Sequence, residues 1–169
     1  IENYLDLTRP TELKCEPVAL RQVILEVLDE LEPQTTRLRI KTVKRLEKDA
    51  PPAIVHPDAV RRILLNIFLN AIEAMPSGGT ISVDSFMEKD RYCVVVRDTG
   101  PGIPEKYLGK IFEPFFSTKE GQGMGMGLFI AKAILTTLNG TIRCNSNPEQ
   151  TTFRIEIPPY GITKEASRT

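Results

Sequence analysis

The segment from Pro57 to about Met75 constrains this chain more than any other. Ile63, Leu64, Leu65, Ile67, Phe68, Leu69, Ala71 and Ile72 set apolar side chains almost all round a helix. Such a helix is stable only when it is buried. Pro57 and Asp58 fall in its first turn, where a proline costs least and an acid complements the helix dipole, and "PSGG" ends it. Two amides break the apolar surface: Asn66 and Asn70 stand four apart and stack on one face, with Arg62 and Glu73 extending the stripe. Two readings of the amides stand side by side. They are core groups satisfied by the backbone, since buried polar groups need partners, or they face a ligand. An asparagine carbonyl oxygen suits Mg²⁺, whose remaining ligands are water and phosphate oxygens.

Around this helix, another is predicted from about Val18 to Glu32, with Leu20, Ile24, Leu28 and Leu31 at helical spacing and Pro33 closing it. "LRIKTVKRL" alternates and reads as a strand, "DAPP" as a turn and "AIV" as a short strand. "TISVDSFM" and "RYCVVVRD", joined by "EKD", form a predicted hairpin. From Thr99 to Gly123 the chain is rich in Gly, Pro and Phe, with one short helix near "EKYLGKIF"; irregular stretches of this length are usually functional or disordered. A helix from about Met126 to Leu138 is capped by Asn139-Gly140, and "TIRCNS" and "TTFRIEI" follow as strands. The expected fold is α/β, a two-layer sandwich with one mixed, mostly antiparallel sheet and helices on one face. Residues 1–12, with "IENYLDL", read as the end of a preceding helix plus linker, 13–158 as the domain, and 159–169 as a loose polar tail.

A chain of 169 residues has room for one domain with a real core. Lys+Arg and Asp+Glu both number 22, so the balance carries no hint of a nucleic-acid or membrane-surface role. No apolar run approaches the roughly 20 residues of a membrane span, and no signal pattern opens the chain. Cys15, Cys93 and Cys144 lie far apart without a CxxC pair, which points to free thiols in the cytoplasm rather than a zinc site. His56 is the only histidine. Because the chain begins at Ile1, we read it as a piece of a longer protein, which leaves open a membrane anchor elsewhere in the parent.

Three further motifs carry chemistry. "DTGPGIP", Asp98 to Pro104, follows a strand directly, so the Asp98 carboxylate ends that strand while glycines let the backbone turn sharply beside a ligand; the same D-x-G pattern is also ordinary turn chemistry. "GQGMGMGL", Gly121 to Leu128, alternates Gly123, Gly125 and Gly127 just before a helix. Bare amides at a helix N-terminus suit phosphates, and this run is neither a Rossmann nor a Walker A loop. A plain hinge is the other reading. "IFEPFFSTK", Ile111 to Lys119, puts three phenylalanines in the irregular stretch. They form either a flap over a ligand or a small cluster under a loop, and Lys119 stands within reach of a phosphate.

Taken in order, these pieces resemble the N, G1, F and G2 boxes of sensor histidine kinases: "ILLNIFLNAIEAM", "DTGPGIP", "FEPFFSTK" and "GMGMGL". The resemblance covers about residues 17 to 158. It implies the Bergerat α/β sandwich shared with gyrase, MutL and Hsp90, binding ATP and Mg²⁺. By resemblance, Asn70 coordinates the Mg²⁺ that bridges the phosphates, with Asn66 beside it at the phosphate end. Asp98 accepts a hydrogen bond from the adenine amino group, Gly100 and Gly102 shape that wall, and Ile103 packs on the purine. Residues 104 to 123 become a mobile ATP lid, while Gly123, Gly125, Gly127 and the adjoining Leu128 belong to the phosphate cradle. Thr151 or Thr152, with Thr152 preferred, assists near the adenine.

The pattern has three departures: "PEQTTF" lacks the usual glycine, Asn139-Gly140 replaces a glycine pair, and His56 stands where an aspartate is common. His56 is therefore not the acceptor histidine. The implied activity is transfer of the ATP γ-phosphoryl group to a histidine on a separate dimerisation domain, with a response regulator downstream, no nucleic-acid partner, a monomeric fragment and a homodimeric parent. Hydrolytic relatives carry a glutamate one turn before the Mg²⁺ asparagine; here that position is Asn66, whose amide takes no proton, which favours kinase over ATPase. An anti-sigma serine kinase and a nucleotide-binding pseudokinase are the remaining alternatives.

Overall fold

The computed structural model describes residues 14–118 and 124–159. The leading "IENYLDL", Lys119, Gly123 and all but the first residue of the 159–169 tail lie outside them. Within these bounds β1 (Glu16–Val18) precedes α1 (Leu20–Arg37), β2 (Ile40–Leu46), β3 (Ala53–Val55) and α2 (Pro57–Glu73). Then come β4 (Gly79–Glu88), β5 (Arg91–Asp98), α3 (Glu105–Leu108), α4 (Gly127–Thr137), β6 (Thr141–Asn147) and β7 (Gln150–Ile157).

The main sheet runs β2-β4-β5-β7-β6. All its pairs are antiparallel except β2–β4, which is parallel. The crossover between β2 and β4 carries β3 and α2, so α2 is laid across the inner face of the sheet. Ile81, Val83, Val94, Val96, Phe153, Ile155 and Ile157 line that face, all buried. α2 packs there between α1 and α4, which is why its apolar residues run round the whole helix. Burial of one large side chain such as Phe68, fully buried here, contributes about 1.5–3 kcal/mol.

Two local expectations are corrected. Pro33 does not close the first helix; α1 continues past it to Arg37. The proline ring faces solvent while Leu31 and Thr35 on either side are buried, so side-chain burial outweighs one lost backbone bond. The helix stops only where Arg39 enters the left-handed region at φ 58°. Val18, read as helical, instead ends β1, which pairs antiparallel with β3 in a second, two-stranded sheet. Three residues are too short for strand periodicity to register. The β4–β5 hairpin turns through Lys89 and Asp90, both at positive φ, the geometry of the tight loop whose twist matches the strands.

Arginine–carboxylate pairs lace the outer face of the sheet. Arg45 and Arg97 flank Asp84, and Arg45 holds that carboxyl below its usual range. Arg154 donates to Glu156, Glu88 and the Cys93 thiol and lies over the Phe86 ring. Glu88, Cys93 and Glu156 stand within 4.8 Å of one another, with the Arg154 guanidinium bound to all three. No helix among the described residues is long and apolar enough to cross a membrane.

Candidate nucleotide site

At the end of β5 the chain must leave the sheet without colliding with the end of α2. Asp98 is 1% exposed, and its Oδ1 accepts the Gly100 N–H at 2.9 Å. Burial pushes this carboxyl's pKa up, and the Gly100 hydrogen bond pulls partly against it. A Cβ on Gly100 would lie 2.8 Å from Asp98 Oδ1 and 3.1 Å from Ala74 Cβ, so only glycine threads between the carboxylate and α2. Thr99 fastens the exit, its Oγ1 accepting the Thr80 N–H at 2.9 Å.

The loop then folds onto the β6–β7 turn. Gly102 adopts φ +76°, and a Cβ there would lie 1.8 Å from the Asn147 carbonyl oxygen. The Ile103 N–H donates to Ser146 Oγ at 2.8 Å, and Ser146 Oγ lies 2.9 Å from Thr151 Oγ1. Thr151 is the register partner of Asp98 on β7 and is 3% exposed. Strand alternation sends Thr152 to the outer face, where it borders a groove of about 600 Å³ with Arg45, Arg97 and Arg154. The threonine beside Asp98 is thus Thr151, and the preference for Thr152 is corrected. Ser146 was not singled out from sequence; hairpin register opposite Thr151 is the signal that points to it.

Cys144 belongs to the same wall. It sits two residues before Ser146 on the same strand face, half-buried against the core. Burial, reinforced by the nearby Asp98 charge, pushes its thiol up to about 12. At pH 8 only about one molecule in 10⁴ then carries the reactive thiolate. Iodoacetamide should leave Cys144 unlabelled over hours at pH 8 and begin to label it only above about pH 11. Ready alkylation at pH 8, read by mass spectrometry, would contradict this environment.

The polar stripe on α2 lies further along the same helix. Asn66 and Asn70 are half-buried, and neither amide has a side-chain hydrogen bond among the described residues. A Cβ on Gly127, the first residue of α4, would lie 3.2 Å from Asn66 Oδ1. The start of the glycine-rich helix therefore abuts Asn66 in the middle of α2, while Gly100 abuts Ala74 at its C-terminal end. Eight residues of helix separate these contacts, roughly 12 Å at 1.5 Å per residue. Asn70 lies between them.

The phenylalanine segment is more ordered than its composition suggests. A chain of turns (Tyr107 N–H to Pro104 O, Lys110 to Tyr107, Glu113 to Lys110) carries it around α3. Ile111 is buried, Phe112 meets Phe153 edge-on at 6.4 Å, and Phe116 packs on Tyr107 at 5.6 Å. Phe115, at φ 63°, points outward and is 73% exposed. Gly125, at φ +66°, approaches so closely that a Cβ would lie 2.5 Å from the Phe116 carbonyl oxygen. Leu128 is half-buried against the core.

A five-stranded mixed sheet covered by helices on one face is the architecture of the Bergerat class of ATP-binding sandwich. The chain belongs to the histidine kinase-, DNA gyrase B- and HSP90-like ATPase family, whose model matches residues 55–161. Among characterised relatives it is 36% identical over 144 residues to sporulation kinase A and 31% identical over 160 residues to sporulation kinase E, both of Bacillus subtilis (strain 168). Those alignments cover 85% and 94% of the chain but only 24% and 22% of the relatives, so the chain spans about a quarter of their length. The catalytic domain of the histidine kinase ThkA superposes with a TM-score of 0.79 at 29% identity, covering 87% of this chain and 97% of that one. ThkA has also been solved in complex with the response regulator TrrA, where the match has a TM-score of 0.75 at 27% identity and covers 86% of this chain and 42% of that one.

Proposed function

We propose that this domain binds ATP between Asp98 and Gly127 and presents the γ-phosphoryl group to a histidine on another domain of its parent protein. The observation that carries the reading is the spacing along α2: an acceptor-only carboxylate near Ala74, a glycine-opened helix N-terminus against Asn66, and Asn70 between, with neither amide hydrogen-bonded through its side chain among the described residues. Asp98 takes the adenine amino group, with Ile103 against the purine. The α4 N-terminus, opened at Gly127 and Gly125, receives phosphate oxygens through backbone N–H groups. Lys119 and Gly123, expected at the phosphates from motif order, lie outside the described residues.

The donor set fits Mg²⁺: Asn70 offers a hard amide oxygen, with Asn66 one turn away. Bound there, the ion supplies charge neutralisation between the phosphates. The chain's own contribution is positioning. It orients the nucleotide in a cleft whose geometry is set by helix and sheet, which is most of what phosphoryl transfer needs from a protein. Asn66, at the place where a hydrolase would hold a general base, activates no water. A histidine acceptor needs no such base, because neutral imidazole is already a nucleophile.

His56 is the N-cap of α2, more than three turns from Asn70, roughly 20 Å along the axis, and so does not serve as acceptor. By analogy with the ThkA complex, a response regulator is the downstream partner. Incubated with γ-labelled ATP, the isolated chain should incorporate no acid-labile phosphate and turn over ATP barely above background. Adding the parent's histidine-bearing hairpin should label the hairpin, and Asn70→Ala should abolish that labelling. Phosphate on His56, or steady hydrolysis that disappears in Asn70→Ala, would refute the assignment.

A further inference from the structure

Ser146 Oγ has three polar neighbours and one proton. The Ile103 N–H at 2.8 Å only donates, and the Gln150 carbonyl oxygen at 3.1 Å only accepts. Thr151 Oγ1 at 2.9 Å does either. One arrangement satisfies all three contacts: Ser146 accepts from Ile103, donates to Gln150, and accepts the Thr151 proton. In the alternative, Ser146 donates to Thr151 and leaves the Gln150 carbonyl without this donor. In that alternative the Thr151 proton also loses Ser146 as its acceptor, and Thr151, at 3% exposure, has little water to replace it.

The paired arrangement has a chemical consequence at the base-reading end. Thr151 and Asp98 are register partners on adjacent strands and share the inner face, where such side chains are neighbours. With its proton committed to Ser146, Thr151 Oγ1 offers only lone pairs. The Asp98 carboxylate likewise only accepts, one oxygen already taking the Gly100 N–H. The end of the cleft then presents acceptors alone, which suits a purine carrying two N–H bonds at position 6 and opposes one carrying an oxygen there.

We propose that Ser146 is a specificity-determining residue that holds the Thr151 hydroxyl as an acceptor and so selects 6-aminopurine over 6-oxopurine nucleotides. The inference rests on the nucleotide reading above, in which Asp98 faces position 6 of the base. Ser146 does not itself touch the nucleotide; it acts through Thr151, and at the same time holds Ile103 in the adjoining wall.

The test compares ADP with inosine diphosphate, identical except for the 6-oxo group, by calorimetry on the 169-residue chain. The wild type should prefer ADP. Ser146→Ala frees the Thr151 proton to meet the oxo group, so the ADP-to-IDP affinity ratio should fall roughly tenfold, the size of one hydrogen bond. Ser146→Thr, which keeps the hydroxyl, should restore the ratio. Equal weakening of both nucleotides by Ser146→Ala would reduce Ser146 to a structural tie and overturn the proposal. Asp98→Asn separates the two layers of inference. If it shifts the ratio while Ser146→Ala does not, only the role of Ser146 fails. If it leaves the ratio unchanged, or the wild type binds no ADP, the placement of the base fails and the proposal with it.

Discussion

Asp98→Ala is expected to weaken ATP and ADP binding by one to two orders of magnitude. A hydrogen bond from a ligand donor to a buried carboxylate contributes about 1.5–3 kcal/mol, and Asp98 is buried with no cation beside it among the described residues to dilute the effect. The alanine variant should remain folded, because the same burial makes the carboxylate a cost to the empty domain. The sign follows from the raised pKa: between the ordinary carboxyl value and the folded one, the folded state binds more protons than the unfolded state, so stability falls as pH rises through that window. A 6-amino donor favours the ionised form, so ADP affinity should rise with pH through the same window and level off above it. Calorimetry at several pH values reads both effects. Wild-type affinity in Asp98→Ala, or a flat pH profile in the native chain, would mean that the base binds elsewhere.

Gly102→Ala should lower the melting temperature by about 5–15 °C and uncouple the loop from the nucleotide. A side chain at φ +76° costs about 1 kcal/mol. The added Cβ would lie 1.8 Å from the Asn147 carbonyl oxygen, a backbone atom that cannot swing away, and overpacking of this kind typically costs 1–3 kcal/mol more. In a domain of this size each kcal/mol moves the midpoint by about 2–4 °C. Relief is possible only by pulling the loop off the turn, which breaks the Ile103–Ser146 bond. Gly109→Ala is the control, since a Cβ there meets nothing within 4 Å. A thermal melt of Gly102→Ala that matches Gly109→Ala would show that the loop does not lie against the turn.

Much of the fold was legible because its signals are local. The all-round apolar surface of α2, the alternation in β4 and β5 and the stop at Asn139-Gly140, where Asn139 takes φ 55°, all follow from short-range patterns. The parallel β2–β4 pairing was not foreseen, because nothing local distinguishes a strand's partner. Pro33 misled for a related reason: its breaking tendency is local, while the burial that overrides it comes from the sheet. At the site, Asp98, Asn66, Asn70 and the glycines were read from motif order; in the structure Gly100 lies against Asp98 and Ala74, and Gly127 against Asn66. Thr151 against Thr152 was undecidable without register, since a shift of one residue exchanges the two faces of a strand. Ser146 was invisible for the same reason. Its three partners come from two segments, the loop at Ile103 and the start of β7, and no spacing in the chain announces them.

In the proposed mode, the contacts of Gly100 with Ala74 and of Gly127 with Asn66 put the base end and the phosphate end along a single helix. α2 is a rod of fixed length, so whatever grips the base does so without regard to how many phosphates follow. In the proposed mode ADP keeps every contact at Asp98 and Ile103 and loses only those beyond Asn66. Product would then linger and compete with fresh substrate for the same cleft. In that mode, occupancy of the site by ATP would follow the ratio of ATP to ADP rather than the amount of ATP alone.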